Sequence, residues 1–175
     1  HHLFLGLSLI PFDLAVLALL YHIMKQVWDV ERAEWSAAVW VLLFVPLFSW
    51  QSFFDVLPLF SLLLVVWAML ERRPMWAGVG LAFGFLVKLL SVLAIPAALW
   101  ALADREAAKK TYLRLFSRAN AIMLGTFALL VLLVMVPLVI MGPEWITATM
   151  RNFCGRGAWQ TIWALADGAQ RQIDG

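Results

Sequence analysis

A largely apolar stretch of 27 residues, 76–102, contains one charged side chain, that of Lys88. A membrane-crossing helix needs ~20 apolar residues and two crossings need about 40, so the stretch fits neither arrangement. An unpaired ammonium costs at least ~2.5 kcal/mol at the centre of a membrane helix and therefore requires a polar cavity or an anionic partner. The stretch predicts two short helices, residues 77–87 and 90–102, that meet in a hairpin near Lys88.

The composition of the whole chain indicates a membrane protein. Hydrophobic residues form 64% of the chain and the mean hydropathy is +0.88, whereas about half of the residues of a soluble domain are apolar. The net charge of +2 is too small for a nucleic-acid-binding surface. The single cysteine, Cys154, excludes an internal disulfide and a metal site built from several cysteines. We therefore predict an all-α fold, a polytopic transmembrane helix bundle that contacts membrane lipids and no nucleic acid.

Two regions are distinguished along the chain. Apolar runs alternate with short charged loops over residues 1–142, which are predicted to form the transmembrane region. Residues 143–175 are predicted to form an extracytoplasmic segment. Within it, four apolar side chains share one helical face, as is typical of a helix lying in the membrane interface. They are Trp159, Ile162, Trp163 and Ala166.

Basic residues indicate which loops are cytoplasmic. The loop with Arg72 and Arg73 and the loop 105–118 should both be cytoplasmic, and a hairpin between them satisfies this requirement. Alternation then places loop 25–34 in the cytoplasm, and the turn 51–55 and the hairpin tip on the extracytoplasmic side. The candidate site consists of the polar residues that converge on that side. They are Asp13, Gln51, Asp55, Lys88, Arg151 and Arg156.

Several short motifs follow one another between residues 9 and 102. They are Ile10-Pro11-Phe12-Asp13 at the expected start of a helix, Phe44-Val45-Pro46, Gln51-Ser52-Phe53-Phe54-Asp55, Arg72-Arg73-Pro74, the glycines Gly78, Gly80 and Gly84, Val87-Lys88, and Ile95-Pro96. Their order and spacing resemble those of polytopic GT-C glycosyltransferases, in particular the bacterial integral-membrane mannosyltransferase-like group. The chain differs from that pattern in one extra residue between Gln51 and Asp55, and in a leucine pair after Lys88 where many relatives have an aromatic residue and a proline.

The resemblance implies transfer of a hexose such as mannose from a polyprenyl-phosphate donor to a glycan, lipid or protein acceptor. The transfer would take place on the extracytoplasmic face of a bacterial inner membrane. The lipid-linked sugar would be the donor substrate, and a divalent metal is left open. Lys88, Arg156 and Arg151 would bind the lipid phosphate, while Asp55 and Gln51 would bind sugar hydroxyls, the acceptor or a metal. Such enzymes usually carry their catalytic acidic residue in the first extracytoplasmic loop. We expect that loop to precede residue 1, which would make this chain a fragment.

Four of the candidate residues also have a purely structural interpretation. Lys88 could extend to the membrane interface, Asp13 and Asp55 could cap the helices that follow them, and Arg156 could contact lipid headgroups. If Lys88 instead neutralises a lipid phosphate, Lys88→Ala should lower turnover strongly and leave folding and insertion nearly intact, because removing a charge from within the membrane relieves a burial cost. A secondary transporter with broken helices or a non-catalytic membrane subunit would account for the same features.

Overall fold

The computed structural model describes residues 2–42, 55–103, 117–144, 147–149 and 151. Its main helices are α1 (His2–Val27), α2 (Val30–Leu42), α3 (Val56–Leu70), α4 (Pro74–Val87), a 3-10 helix (Leu89–Ala94), α5 (Ile95–Leu102) and α6 (Arg118–Met141). The described residues contain no strand, which confirms the predicted all-α class. The chain forms two compact units, residues 1–131 and 132–175, and α6 continues from the first into the second.

Two of the described helices are long and apolar enough to cross a membrane. They are Gly6–Val27 within α1, with a mean hydropathy of 1.9, and α6, with a mean hydropathy of 2.8. The apolar helices α3, α4 and Ser91–Leu102 have 10–17 residues each, fewer than the ~20 of a full crossing. Membrane association is thus supported by the length and apolar composition of α1 and α6.

The predicted loop 25–34 is mostly helical, because only Trp28 and Asp29 separate α1 from α2. Lys25 belongs to the last turn of α1, whereas Glu31, Arg32 and Glu34 belong to the first turns of α2. Oδ1 of Asp29 accepts the backbone N–H of Arg32 at 2.8 Å, which is the usual N-cap hydrogen bond. The charged residues therefore mark the start of α2 and not a long loop.

The motif around Pro11 and Asp13 does not open a helix, because α1 begins at His2 and continues through Pro11. Proline removes one backbone hydrogen bond, and membrane helices tolerate this loss when neighbouring groups satisfy the freed carbonyl. Asp13 lies near the middle of α1, and its side chain is half-buried. Its interpretation as a helix cap is therefore wrong.

Helices α1 and α3 run in the same direction. Phe12 of α1 packs edge-on against Phe60 of α3, with ring centroids 5.5 Å apart. Further along both helices, Nε2 of His22 lies 3.6 Å from Oε1 of Glu71. The contacting residues are ten apart in α1, and eleven residues separate Phe60 from Glu71 at the C-terminal cap of α3. The two helices therefore stay in register over nearly three turns.

The chain turns back after α3 and again at Lys88, which gives the predicted hairpin. The rings of Trp67 and Trp76, on either side of the first turn, lie 6.4 Å apart. After Lys88 the 3-10 helix and α5 return along α4, so that Nη1 of Arg72 donates to the carbonyl oxygen of Ala101 at 2.9 Å. The start of α4 and the end of α5 therefore lie side by side.

The second limb opens as the 3-10 helix Leu89–Ala94 instead of the predicted α-helix from residue 90. Pro96 gives a physical reason, since its ring would clash with the carbonyl group four residues earlier in a continuous α-helix and its nitrogen has no proton to donate. Pro96 instead occupies the first turn of α5, where the missing N–H leaves no helical hydrogen bond unmade.

The turn between α3 and α4 is a Schellman motif. The N–H of Arg73 donates to the carbonyl of Ala68 at 2.8 Å, and that of Arg72 donates to the carbonyl of Met69 at 3.3 Å. Arg72 has a φ of 55°, a left-handed conformation that costs a non-glycine residue roughly 1 kcal/mol or more. Its side-chain bond to Ala101 offsets part of this cost and joins the two limbs of the hairpin.

These contacts give the first unit two chemically different ends. The end called the arginine end here contains His22, Glu71, Arg72, Arg73 and Ala101. The opposite end, called the tip, contains Asp55 and Lys88. Nδ2 of Asn120 donates to the carbonyl of Leu99 at 3.0 Å, so α6 also begins at the arginine end.

Glycines allow α4 to approach its neighbours closely, as their spacing predicts. A Cβ atom at Gly80 would lie 2.9 Å from Cγ2 of Val65 in α3, and one at Gly84 would lie 2.6 Å from the Cβ of Ser91 in the 3-10 helix. On the other side, a Cβ at Gly78 would lie 2.8 Å from a side-chain carbon of α6. Helix α4 therefore packs closely against α3, the 3-10 helix and α6.

Gly84→Ala is expected to destabilise the protein by about 1–3 kcal/mol, the usual range for overpacking. The added methyl group would meet the Cβ of Ser91 at 2.6 Å, so rotating the serine hydroxyl away cannot relieve the contact. Gly125→Ala is the matched control, because a Cβ there meets nothing within 4 Å and alanine is the better helix former. Chemical unfolding in detergent, followed by circular dichroism, measures both variants. Equal changes would contradict the tight contact at Gly84.

Candidate functional site

Lys88 stands where α4 ends and the chain reverses. Its N–H still donates to the carbonyl of Gly84 at 2.7 Å, but its own backbone is extended, with φ −157° and ψ 124°. The side chain therefore projects from the end of a broken helix and not from the side of a continuous one.

Asp55 supplies an anionic partner for Lys88, one of the two environments that the sequence requires. Nζ of Lys88 lies 2.7 Å from Oδ1 of Asp55, the distance of a charge-assisted hydrogen bond. The pair joins residues 33 positions apart, because α3 begins where α4 ends. The two side chains are 57% and 74% exposed, respectively, so the described residues leave the pair open to a ligand.

Asp55 directly precedes α3 but does not cap it. Its backbone is helical, with φ −67° and ψ −16°, and its carboxylate makes no hydrogen bond to the amides of the first turn. A capping side chain normally requires an extended backbone at this position, and Oδ1 of Asp55 is already engaged by Lys88. The capping interpretation is therefore wrong for Asp55.

Two buried serines hold the hairpin against α3 close to this pair. The hydroxyl of Ser61 donates to the carbonyl of Pro58 at 2.7 Å, and Ser61 and Ser91 lie 2.9 Å apart. Because a hydroxyl has one proton, Ser91 must be the donor to Ser61. This bond fixes the 3-10 helix on α3 and so keeps Lys88 within reach of Asp55. Neither serine is among the predicted site residues, although each is an isolated hydroxyl in an apolar run.

An aromatic cluster lies next to the Asp55–Lys88 pair, on the side toward the arginine end. Phe12, Phe60 and Phe83 contact one another with centroid distances of 5.5, 5.8 and 5.9 Å. Phe60 follows Asp55 by five residues and Phe83 precedes Lys88 by five, a separation of about 7.5 Å along each helix. The cluster thus forms an apolar floor about one and a half helical turns below the charged tip.

The other predicted site residues have different positions. Asp13 adjoins Phe12 in α1, and the register of α1 with α3 puts it on the tip side of the first unit. Arg151 is exposed and belongs to the second unit. Gln51, Arg156 and the predicted interfacial helix lie outside the described residues. The structure therefore brings together Lys88 and Asp55 from the predicted set.

The chemistry available at the tip is that of a cation held by a carboxylate. The ammonium group has three donors, of which Asp55 takes one, so it is suited to an anionic ligand. Within the described residues, no group of three or more histidine, cysteine or acidic side chains is placed to hold a metal ion.

Comparison of the chain with protein-family models, curated proteins and solved structures finds no match.

The ion pair changes the expected effect of removing Lys88. The expectation from the sequence treats its charge as unpaired, but Lys88→Ala would leave Asp55 without its partner. Inside a membrane, a single neutralisation would therefore exchange one unpaired charge for another. A change that removes both charges is the appropriate test of folding.

The double variant Asp55→Asn/Lys88→Met is expected to be more stable than the summed changes in unfolding free energy of the two single variants predict. Exposed pairs in water couple by about 0.2–1 kcal/mol, whereas a lone charge inside a membrane costs ~2.5 kcal/mol or more. A coupling free energy above about 1 kcal/mol is therefore expected in lipid nanodiscs. A double-mutant cycle on the unfolding free energy measures it.

The pair of Asp29 and Arg32 is the matched control for that cycle. Its closest charged atoms are 3.7 Å apart, its side chains are 55% and 62% exposed, and it lies at the start of α2. Asp29→Asn/Arg32→Gln keeps a capping side chain and should show a coupling of about 0.5 kcal/mol or less. Equal couplings for the two pairs would contradict a membrane-embedded position for Lys88.

Proposed function

We propose that this chain is part of a polytopic GT-C-like membrane glycosyltransferase. It transfers a hexose such as mannose from a polyprenyl-phosphate donor to an acceptor on the extracytoplasmic side of a bacterial inner membrane. The Asp55–Lys88 pair at the tip is the observation that carries this proposal. A cation at the end of a broken helix, held by one carboxylate and open to a ligand, suits the phosphate of a lipid-linked sugar.

The length of the hairpin supports this location for the cation. Helix α4 has 14 residues and is about 21 Å long, whereas the hydrocarbon core of a bilayer is ~30 Å thick. With the arginine end at the cytoplasmic boundary, the tip lies in the outer half of the membrane, about 10 Å short of the far boundary. The lysine side chain extends from there toward the headgroups. The donor phosphate therefore reaches it from the extracytoplasmic side.

The two residues of the pair have separate roles in this proposal. Lys88 stabilises the negative charge that develops on the departing polyprenyl phosphate. Asp55 positions the ammonium group and leaves two of its donors for phosphate oxygens. Gln51, Arg151 and Arg156 remain predicted ligands of the same substrate. We assign no general base to the described residues.

Three introduced cysteines at the arginine end are expected to react with an impermeant maleimide from the cytoplasmic side. The substitutions are Asp29→Cys, Met75→Cys and Arg118→Cys, each made in a Cys154→Ser background. Asp55→Cys should react from the opposite side, because it lies at the tip. Accessibility labelling in oriented vesicles measures the four positions. Reaction of Met75→Cys and Arg118→Cys from opposite sides would contradict the membrane placement of the hairpin.

Lys88→Met in the full-length protein is expected to lower turnover of a polyprenyl-phosphate hexose about 10²–10³-fold, the usual loss for one electrostatic donor. Lys88→Arg should retain part of the activity, since the charge remains but the planar guanidinium imitates an ammonium poorly. Arg32→Gln removes an exposed cation near the arginine end and should leave turnover unchanged. Radiolabelled sugar transfer measures all three. Turnover of Lys88→Met at the wild-type rate would exclude Lys88 from donor binding.

A secondary transporter is the second candidate, because the break at Lys88 and its ion pair are also features of transporter binding sites. Flux of a substrate into proteoliposomes, without sugar transfer and lost in Lys88→Met, would favour this function. A non-catalytic membrane subunit would show neither transfer nor flux. The three candidates are therefore separated by measuring both activities on the same purified protein.

A further inference from the structure

A groove of about 610 Å³ lies between α1, α3 and the start of α4. Its volume is within the range of about 300–1,000 Å³ that is usual for ligand sites. Its apolar wall includes Ala15 and Ala18 of α1 and Phe60 and Leu64 of α3. These residues recur three or four positions apart on each helix, so the groove follows the helix axes.

The polar side chains of the groove are gathered at one end. His22, Glu71 and Arg73 line it at the arginine end, beyond the apolar residues of both helices. The lining of α3 extends from Phe60 to Glu71, eleven residues or about 16 Å of helix. One leaflet of the hydrocarbon core is about 15 Å thick. The groove therefore matches one acyl chain with a polar head at the arginine end.

Arg73 provides the charge for that head. Its guanidinium carbon lies 5.5 Å from the centre of the Trp67 ring, and no carboxylate in the described ranges is within ion-pair distance of it. The carboxylate of Glu71, which also lines the groove, faces His22 instead at 3.6 Å. A planar guanidinium binds phosphate through paired hydrogen bonds. The groove thus offers a cation to an anionic head.

Two further features favour a membrane lipid as the occupant. Trp67 and Trp76 contact each other beside Arg73, and indole rings concentrate at the headgroup level of membranes. Arg72 is also at the arginine end. Clustered basic residues attract the anionic lipids of the cytoplasmic leaflet.

We infer that this groove binds an anionic phospholipid, with its phosphate at Arg73 and one acyl chain along α1 and α3. The site lies at the opposite end of the first unit from the Asp55–Lys88 pair. It does not depend on the proposed transfer of a sugar.

The test is a titration of the full chain, purified in detergent, with phosphatidylglycerol or phosphatidylcholine. Bound lipid raises the midpoint of thermal unfolding, and phosphatidylglycerol should do so at lower concentration. Arg73→Gln should weaken its apparent affinity about tenfold or more, because a charge-assisted phosphate contact is lost. Ala18→Phe fills the groove from an exposed position and should remove the effect. Arg118→Gln, an exposed cation outside the groove, should behave as wild type.

Equal stabilisation by the two lipids would overturn the inference, as would wild-type affinity for phosphatidylglycerol in Arg73→Gln. Size-exclusion chromatography supplies a second criterion. A wild-type dimer that becomes monomeric in Ala18→Phe would show that the groove holds a second copy of the chain instead of a lipid. If Ala18→Phe fails to fold, Arg73→Gln and its Arg118→Gln control decide the question.

Discussion

The arrangement of the first unit depends on the close contact of Gly84 with Ser61 and Ser91. A glycine at this position lets the 3-10 helix approach both α3 and α4 more closely than any side chain would permit. The buried hydrogen bond between the two serines then satisfies polar groups that would be costly to leave unpaired in an apolar interior. Because this contact adjoins the break in the helix, it also fixes the position of Lys88.

The hairpin separates charges into two ends with different chemistry. At the tip, one ammonium and one carboxylate form a short, exposed pair. At the arginine end, a guanidinium adjoins an indole ring and an apolar groove. Each end pairs charge with apolar surface, as expected of sites for amphiphilic ligands. The proposed donor phosphate and the inferred phospholipid would then enter from opposite leaflets, so neither competes with the other.

Several elements of the fold could be predicted because their cause is local. The apolar runs give α1 and α6, and the glycine spacing gives a closely packed α4. Other local interpretations were wrong for physical reasons. The charged residues after α1 predicted a loop, but Asp29 caps α2 and shortens the connection to two residues. Pro11 predicted a helix start, but α1 loses only one hydrogen bond there and continues.

The sequence by itself determined that the chain is helical and apolar, that the stretch 76–102 must turn back on itself, and that Lys88 needs an anionic or polar environment. Only the tertiary structure decided which environment that is. Asp55 meets Lys88 because α3 and α4 are antiparallel and similar in length, with 15 and 14 residues. Local patterns report burial and spacing within one helix, whereas a pair 33 residues apart depends on the lengths and register of the helices between them.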